Sequence, residues 1–481
     1  MVVKSRLSEM SRWLDVQKKS KDTVVQIFSQ ILNFNWLEPY RTPQQSMAFG
    51  TGFFISKEGY LVTNFHVIDE AINIKIQIPS LGKQKFEVEV VGVYPEMDIA
   101  LLKLKDKDKK QVEELIGDIT FLEFGNSDDV FRTQEILALG YPLGQESLKS
   151  TQGIVSGREK MQMISYIQMT APLNPGNSGG PSINKDGEVI GINFAGVLSA
   201  QNVGYIIPIN EVKYAIKDLQ KLKLLRRPYL GGIFSISNID MVRFLGNPDD
   251  GGFYIAKVFP KSILDRTGVK EGDMIYEING HHVDRYGEIS APWSEDKISI
   301  FDFLNRQHVG DKMSLVLYRK GEKKECNFKF ERGLMIPIRF VYPKYEEIDY
   351  EVFGGIVLMN LTLNHVGIFA EKNPLFSGFY LADNQQKSRL VVTNILLDSQ
   401  AQQSHSVLPG DILAEVNGIA VSNVDDFRKA VVKKQKNGFA TLKTGSEIFT
   451  VLSIDKVLED EERLSKQYKY KKPKFIDLMN T

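Results

Sequence analysis

Cysteine is almost absent: Cys326 is the only one in 481 residues. No intrachain disulfide can form, which excludes a fold stapled by cross-links, and the compartment stays open because disulfide-free proteins occur everywhere. Cys326 lies in the alternating run from Glu325 to Phe330, a pattern that predicts a buried free thiol in a strand. An excess of charge of one sign is missing too. The 60 Lys and Arg residues balance 60 Asp and Glu, so no global field draws nucleic acid or anionic lipid, and neither is expected as a partner. No apolar run reaches the roughly 18 residues of a membrane-spanning helix. Residues 1–21 are basic but lack an apolar core and a small-residue cleavage site, so they do not read as a secretory signal. Histidine is scarce as well. Only His66 precedes residue 281, so imidazole chemistry in the first half of the chain rests on one side chain.

What is present is ordinary for globular domains: 42% hydrophobic and 25% charged residues. The length suits roughly three domains at about 150 residues each. Residues 1–45 form a mixed N-terminal segment. Asp22 can cap a helix there, but the run Val24 to Leu32 fits a strand equally well. From Phe49 onward short apolar runs alternate with turn signals: 50–55, 60–64, 73–78, 85–94, 99–104, 136–139, 153–156, 164–169, 189–194 and 203–208. Many short strands so spaced predict a sandwich or barrel. Residues 210–221 read as a helix capped by Asn210. Arg226-Arg227-Pro228 reads as a linker.

Two later segments share one frame. Gly252 to Val258 followed by Gly268 to Gly280, and Leu390 to Ile395 followed by Val407 to Gly418, both run strand, connector, Gly-Asp turn, strand, Asn-Gly turn. A repeat offset by about 140 residues is stronger evidence of a shared unit than either copy alone. The reading therefore divides the chain into 46–225, 226–335, 336–456 and a charged tail, 457–481, taken as a solvated helix or arm.

Chemistry is concentrated in Asn174-Pro175-Gly176-Asn177-Ser178-Gly179-Gly180-Pro181. Glycine there permits positive φ and close approach, so successive N–H groups can converge beside Ser178 Oγ. Acyl transfer needs that arrangement, a nucleophile with preorganised donors for an oxyanion. His66, at a strand end, is the one imidazole available to activate Ser178 within its own domain. The carboxylate that would orient the ring is Asp98, which precedes an almost fully apolar strand, with Asp69 and Glu96 as rivals. The order His, Asp, Ser agrees with one known triad arrangement, though triads are defined by geometry.

Together, Thr63-Asn64-Phe65-His66-Val67, Asp98-Ile99-Ala100-Leu101 and Gly176 to Pro181 resemble the three triad blocks of the HtrA/Deg serine proteases. Gly50 to Phe53, Leu139 to Gly144 and Gly153 to Ser156 are similar to intervening blocks of that family, in the same order. The two repeats resemble PDZ domains, and the less regular second one is most similar to the plant-type branch. The resemblance covers residues 46 to 455 or so. It implies a mostly β fold: a chymotrypsin-like double β-barrel followed by two PDZ domains, the second degenerate. It also implies Ser178 as nucleophile, His66 as general base and then acid, Asp98 as its orienter, and the N–H groups of Gly176 and Ser178 as the oxyanion hole. The wall of the specificity pocket would be Pro172, Leu173, Asn193, Phe194 and Ala195. No acidic residue lies there, so small or medium apolar side chains are expected before the scissile bond. Tyr229-Leu230-Gly231-Gly232 is similar to a PDZ carboxylate-binding loop, and Phe353 to Ile356 to a second one.

The activity implied is ATP-independent endoproteolysis of unfolded or damaged proteins, with no metal and no other cofactor, in a homo-oligomer built of trimers. Relatives occupy the bacterial envelope and organelles, which leaves location open. Three departures from the family pattern stand out: Phe65 before the histidine, Thr170 before the active-site loop, and Pro172 within it. Phe65 is expected to crowd the site. Residues 157–165 and 195–201 match the loops that switch such enzymes on. A holdase with a disabled site, or a PDZ adaptor with one client, are the alternatives the same residues allow.

Overall fold

A computed structural model describes residues 13–161, 164–196, 202–227, 229–331, 335–433, 437–473 and 476. The chain divides into two compact units, one of residues 1–31 and 46–334, the other of 32–45 and 335–481. The first unit opens with two closed six-stranded barrels. Barrel one comprises β1 (Val24–Asn33), β2 (Gln44–Phe54), β3 (Tyr60–Thr63), β4 (Ala71–Gln77), β5 (Lys85–Tyr94) and β6 (Ile99–Leu104), in the order β1-β2-β3-β6-β5-β4. Barrel two comprises β7 (Glu135–Gly140), β8 (Lys149–Met161), β9 (Ile164–Met169), β10 (Pro181–Ile183), β11 (Val189–Gly196) and β12 (Gly204–Pro208), in the order β10-β11-β12-β9-β8-β7. Closure leaves neither sheet an exposed edge. β6 is a continuous apolar run because both of its faces are covered, with Ile99 to Leu102 all buried.

Some expectations change here. The ambiguous run at 24–32 is a strand of barrel one, not part of a separate N-terminal segment. The polar stretch after β6 is a helix, Asp106–Ile116, in which only Val112 is buried, so it carries no apolar face to read. The helix after β12 runs Ile209–Leu219, one residue earlier than expected, and Asn210 is no cap. Its amide donates to Asn126 Oδ1 at 2.6 Å.

The first unit continues with a sheet of β13 (Gly232–Ser235), β14 (Phe253–Val258), β15 (Met274–Ile278), β16 (His281–His282), β19 (Lys312–Arg319) and β20 (Glu322–Lys329), beside a small ribbon of β17 (Glu288–Ile289) and β18 (Ile298–Ser299). β13 is an edge strand. Phe234 on β13 meets Phe301 of the helix Ile300–Asn305 edge-on, with ring centroids 5.5 Å apart. Cys326 sits in β20, half-buried, and burial raises its thiol pKa.

The second unit carries β21 (Tyr350–Phe353), β22 (Ile356–Asn360), β23 (Leu390–Ile395), β24 (Ile412–Val416), β25 (Ile419–Ala420), β26 (Phe439–Thr444) and β27 (Phe449–Ser453). The repeat is visible in its hydrogen bonds. Gly272 N donates to Ile255 O and Gly410 N to Val392 O. Ser314 N donates to Asn279 Oδ1 at 2.7 Å, as Thr441 N does to Asn417 Oδ1 at 2.9 Å. A Cβ on Gly231 would meet Ser262 Cβ at 2.0 Å, and one on Gly355 would meet Ser399 Cβ at 2.1 Å.

The copies differ at the loop expected to bind a second carboxylate. Gly354 and Gly355 close a tight hairpin in which β21 pairs antiparallel with β22, the strand equivalent to β13. Arg428, on the helix Val424–Val431, holds β21 through Asp349 (2.7 Å) and Glu351 (2.8 Å). The position an added peptide strand would take is thus filled by the chain itself. Residues from 32–45 also belong to this unit: His365 Nε2 contacts Trp36 O at 3.2 Å, and the two rings meet edge-on. The tail is not a free arm. The helix Ile454–Tyr468 buries Val457, Glu461, Leu464 and Ser465.

Candidate active site

The imidazole comes first in the chain. β3 ends at Thr63, and one 3-10 turn, Phe65–Val67, lifts His66 to the surface with its side chain 50% exposed. Phe65 lies beneath, only 5% exposed. The expected crowding does not occur, because the turn sends alternate side chains inward and outward.

Asp98 reaches His66 from the start of β6. It takes a left-handed conformation, φ 52°, which Asp tolerates better than most side chains. Its carbonyl accepts from Phe65 N (3.1 Å) and Asn64 Nδ2 (3.0 Å), fixing the 3-10 turn. Its carboxylate then grips His66 twice: Oδ1 accepts from the backbone N–H at 2.8 Å, and Oδ2 lies 2.7 Å from Nδ1. The ring is therefore held by Asp98, and not by Asp69 or Glu96, the two rivals. Burial works against a positive charge on His66, but the Asp98 hydrogen bond and charge, with a contribution from Asp69, outweigh it and raise the pKa. Burial and the Glu70 charge push the Asp69 carboxyl up to about 6.

The serine loop is assembled from strand ends. Thr51 on β2 donates from Oγ1 to Gly176 O (2.7 Å), accepts from Tyr141 N (3.0 Å), and its own N–H donates to Ser178 O (2.9 Å). Glycine is required at Gly176 and Gly179, where φ is positive, and also at Gly180, where a Cβ would meet Leu139 O at 2.2 Å. A Cβ at Gly176, φ 98°, would meet Tyr141 O at 2.4 Å, and one at Gly179, φ 85°, would meet Thr51 O at 2.1 Å. Pro175 O accepts from Leu143 N at 2.6 Å. A trans peptide carries its C=O and N–H on opposite sides, so this bond turns the Gly176 N–H away from Leu143. Among the described residues the N–H groups of Gly176 and Ser178 donate to no acceptor. Ser178 Oγ donates to Phe194 O at 3.2 Å and not to His66. Such contacts are often unmade without substrate.

The predicted pocket wall divides. Pro172 is exposed, with its carbonyl accepting from Thr151 Oγ1. Leu173 is half-buried, with Cγ 3.3 Å from where a Cβ on Gly204 would stand. Phe194 stacks on Tyr166, centroids 4.9 Å apart. Ala195 lies in β11 opposite Tyr205, and its side chain lies outside the described residues. Asn193 is a correction. Its side chain is fully buried, donating to Leu139 O and accepting from Ser182 Oγ, while its N–H and C=O are spent on Gly180 and Gly179. It has no group left for a substrate. Thr170 Oγ1 accepts from Ile154 N at 2.9 Å, tying the approach to the loop onto β8. Of the two switching loops, 162–163 and 197–201 lie outside the described residues.

At the other predicted site, Gly231 takes φ 90° and its carbonyl accepts from Phe259 N, while Leu230 is buried and its carbonyl accepts from Leu264 N. Tyr229 stacks on Phe259, and Gly232 pairs with Val258. Sequence reasoning missed Thr51 and Leu143. Both lie inside family-like blocks, but their roles come from contacts across 125 and 32 positions, which those blocks do not reveal.

Known proteins share this organisation. A trypsin-like peptidase domain matches residues 50–192 and a PDZ domain matches residues 367–444. The periplasmic serine endoprotease DegP of Escherichia coli (strain K12) is 28% identical over 402 residues, covering 81% of this chain and 73% of its own. A probable periplasmic DegP-like endoprotease of Marinomonas sp. (strain MWYL1) is 27% identical over 396 residues, covering 80% and 75%. Among solved structures, the HtrA-type protease AlgW with decapeptide superposes with a TM-score of 0.52 at 24% identity, over 66% of this chain and 98% of that one, and so supports the fold. With its two closed barrels, a trypsin-like peptidase match, a PDZ match and these relatives, the chain is a serine endopeptidase similar to the HtrA/Deg proteases.

Proposed function

We propose that this endopeptidase cleaves unfolded polypeptides through an acyl-enzyme on Ser178. His66 takes the Oγ proton as Ser178 attacks the scissile carbonyl, then returns it to the departing amine. Asp98 holds the ring and favours the imidazolium formed between the two events, while the Gly176 and Ser178 N–H groups receive the oxyanion. The observation that carries this reading is the double grip of Asp98 on His66, which presents Nε2 outward, together with two unspent N–H groups in the serine loop. Of the three candidate carboxylates, Asp98 is the one that hydrogen-bonds the ring. A pocket wall of Leu173 and Phe194 with no acidic group supports apolar side chains before the cut. Extended apolar segments are exposed in unfolded chains and rare on folded ones, which supports a role in protein quality control.

The division into a protease domain to residue 225, PDZ domains at 226–335 and 336–456 and a tail is part of this proposal. So are PDZ capture of peptide ends at Tyr229 to Gly232 beside the open edge of β13, a trimer or multiple of it, and an envelope or organelle location. The relatives described as periplasmic support the last. The test is degradation of unfolded casein in chelator without ATP, wild type beside Ser178→Ala. Cleavage by wild type alone is expected; cleavage by both would place the nucleophile elsewhere.

A further inference from the structure

The two repeats differ most between their first two strands. In the first, residues 236–252 join β13 to β14 with one short helix, Ile239–Phe244. In the second, residues 361–389 join β22 to β23 with a helix, Leu363–Ala370, and two 3-10 turns, Pro374–Tyr380 and Asn384–Gln386. Neither the protease chemistry nor peptide capture uses this addition. Its aromatic side chains form a ladder: the Phe369 ring centroid lies 5.0 Å from that of Phe376, which lies 5.7 Å from that of Phe379. The ladder abuts the turn into β24, where a Cβ on Gly410 would meet Phe369 at 3.5 Å and Phe376 at 3.6 Å. Beside it opens a cleft of about 660 Å³, within the range of small-molecule sites. Leu375, Phe376, Phe379, Ile412, Leu413 and Val421 supply its apolar lining. Leu375 is 84% exposed, so an occupant of the cleft would remove apolar surface from water.

Arg389 is the cation of this lining. Among the described residues it forms no ion pair, and its guanidinium makes a single hydrogen bond, Nη1 to Ser388 O at 3.3 Å. A guanidinium offers five N–H donors in a fork that fits a carboxylate, so most of its capacity is unspent. Asp411, the acid of the lining, does not pair with it; its Oδ2 accepts from Leu408 N. Backbone donors around the cleft are already used: Gly410 N on Val392 O, Gly445 N on Ile412 O and Leu375 N on Asn373 Oδ1. A polypeptide laid there would find few donors for its own carbonyls, whereas a hydrocarbon tail needs none. We propose that the cleft binds a single-chain amphiphile with a carboxylate head, the chemistry of a long-chain fatty acid. Its tail lies against Phe376 and Phe379, and its head on Arg389. This site is independent of the Ser178 chemistry.

The test displaces cis-parinarate, a fluorescent fatty acid, from the full chain, with oleate or its uncharged methyl ester as competitor below the micelle concentration. Wild type should bind parinarate saturably, and oleate should compete at least about tenfold better than the ester, the scale of a charge-assisted hydrogen bond. In Arg389→Gln that preference should vanish while the ester competes as it does in wild type, which also shows that the variant is folded. Leu375→Ser, at an exposed position, should weaken acid and ester alike, by about threefold or more. Absence of saturable binding, equal competition by acid and ester in wild type, or an undiminished preference in Arg389→Gln would each overturn the proposal. So would tighter competition by a peptide ending in Leu and Phe with a free carboxylate than by oleate, a result that would assign the cleft to polypeptide ends.

Discussion

Asp98 connects three parts of the site through one residue: its carbonyl fixes the turn that carries His66, Oδ1 holds the His66 backbone N–H, and Oδ2 holds the ring. Replacement by Asn keeps the shape and removes the charge. Because Asp98 raises the His66 pKa, the variant's value falls, and neutral imidazole persists to lower pH. We expect the acidic limb of kcat/KM to move to lower pH in Asp98→Asn, while the plateau drops about 10⁴-fold through loss of ring orientation. A pH–rate profile on one quenched peptide reads both effects. A limb that stayed in place would mean His66 is not the titrating base. At this scale the sequence was informative. Ser178, His66 and Asp98 stand in short blocks whose chemistry is local, whereas Asn193 reads as pocket lining and proves to be spent inside barrel two. Nothing in its neighbours tells which way its amide faces.

Elements are held to one another by buried polar contacts that no periodicity encodes. Arg306, just after the helix Ile300–Asn305, is 8% exposed and meets Asp128 twice at 2.9 Å and Glu211 at 2.9 Å. Trp293 and Tyr214 cover its guanidinium at 5.0 and 5.7 Å. Arg306→Met would leave two carboxylates confined without their cation, a loss of about 3–5 kcal/mol. Thermal unfolding should show it, and adding Asp128→Asn with Glu211→Gln should restore most of the lost stability. Failure of the triple variant to recover would mean that the lost packing, and not the charge, decides.

In the second unit His365 is fully buried against Thr362 and Trp36. Burial lowers its pKa to about 4, against which the Trp36 carbonyl works only weakly. The unfolded chain binds a proton near pH 6.5, so this contribution is complete above that value and is lost as pH falls toward 4. Between pH 7 and pH 5 the loss is about 2 kcal/mol. The urea midpoint reported by Trp36 fluorescence should fall accordingly, and His365→Gln should flatten the dependence. The Gly-Asp turns of both repeats were legible because each closes a local hydrogen bond, Lys270 N to Asp273 Oδ2 and Leu408 N to Asp411 Oδ2. The Asn-Gly turns were legible because Asn and Gly are the residues such turns favour, although Asn279 and Asn417 bond to strands further along the chain. That β21 fills the second copy's open edge was not, since a strand's partner depends on residues far away in sequence.

For the whole molecule, strand spacing indicated a sandwich or a barrel without deciding between them, and the double barrel was legible only through the family resemblance. β10 has only three residues, too few for an alternation, yet it completes barrel two and carries Ser182 to Asn193. The helix Asp106–Ile116 stayed hidden because it buries one side chain. The account as a whole stands on Ser178 being activated by His66. Mass spectrometry of the fluorophosphonate adduct tests that most directly, comparing wild type, His66→Ala and Ser178→Ala. The account predicts an adduct on Ser178 in wild type, formed at least about 100-fold more slowly in His66→Ala and absent in Ser178→Ala. An adduct on another residue, or equal rates in wild type and His66→Ala, would contradict it.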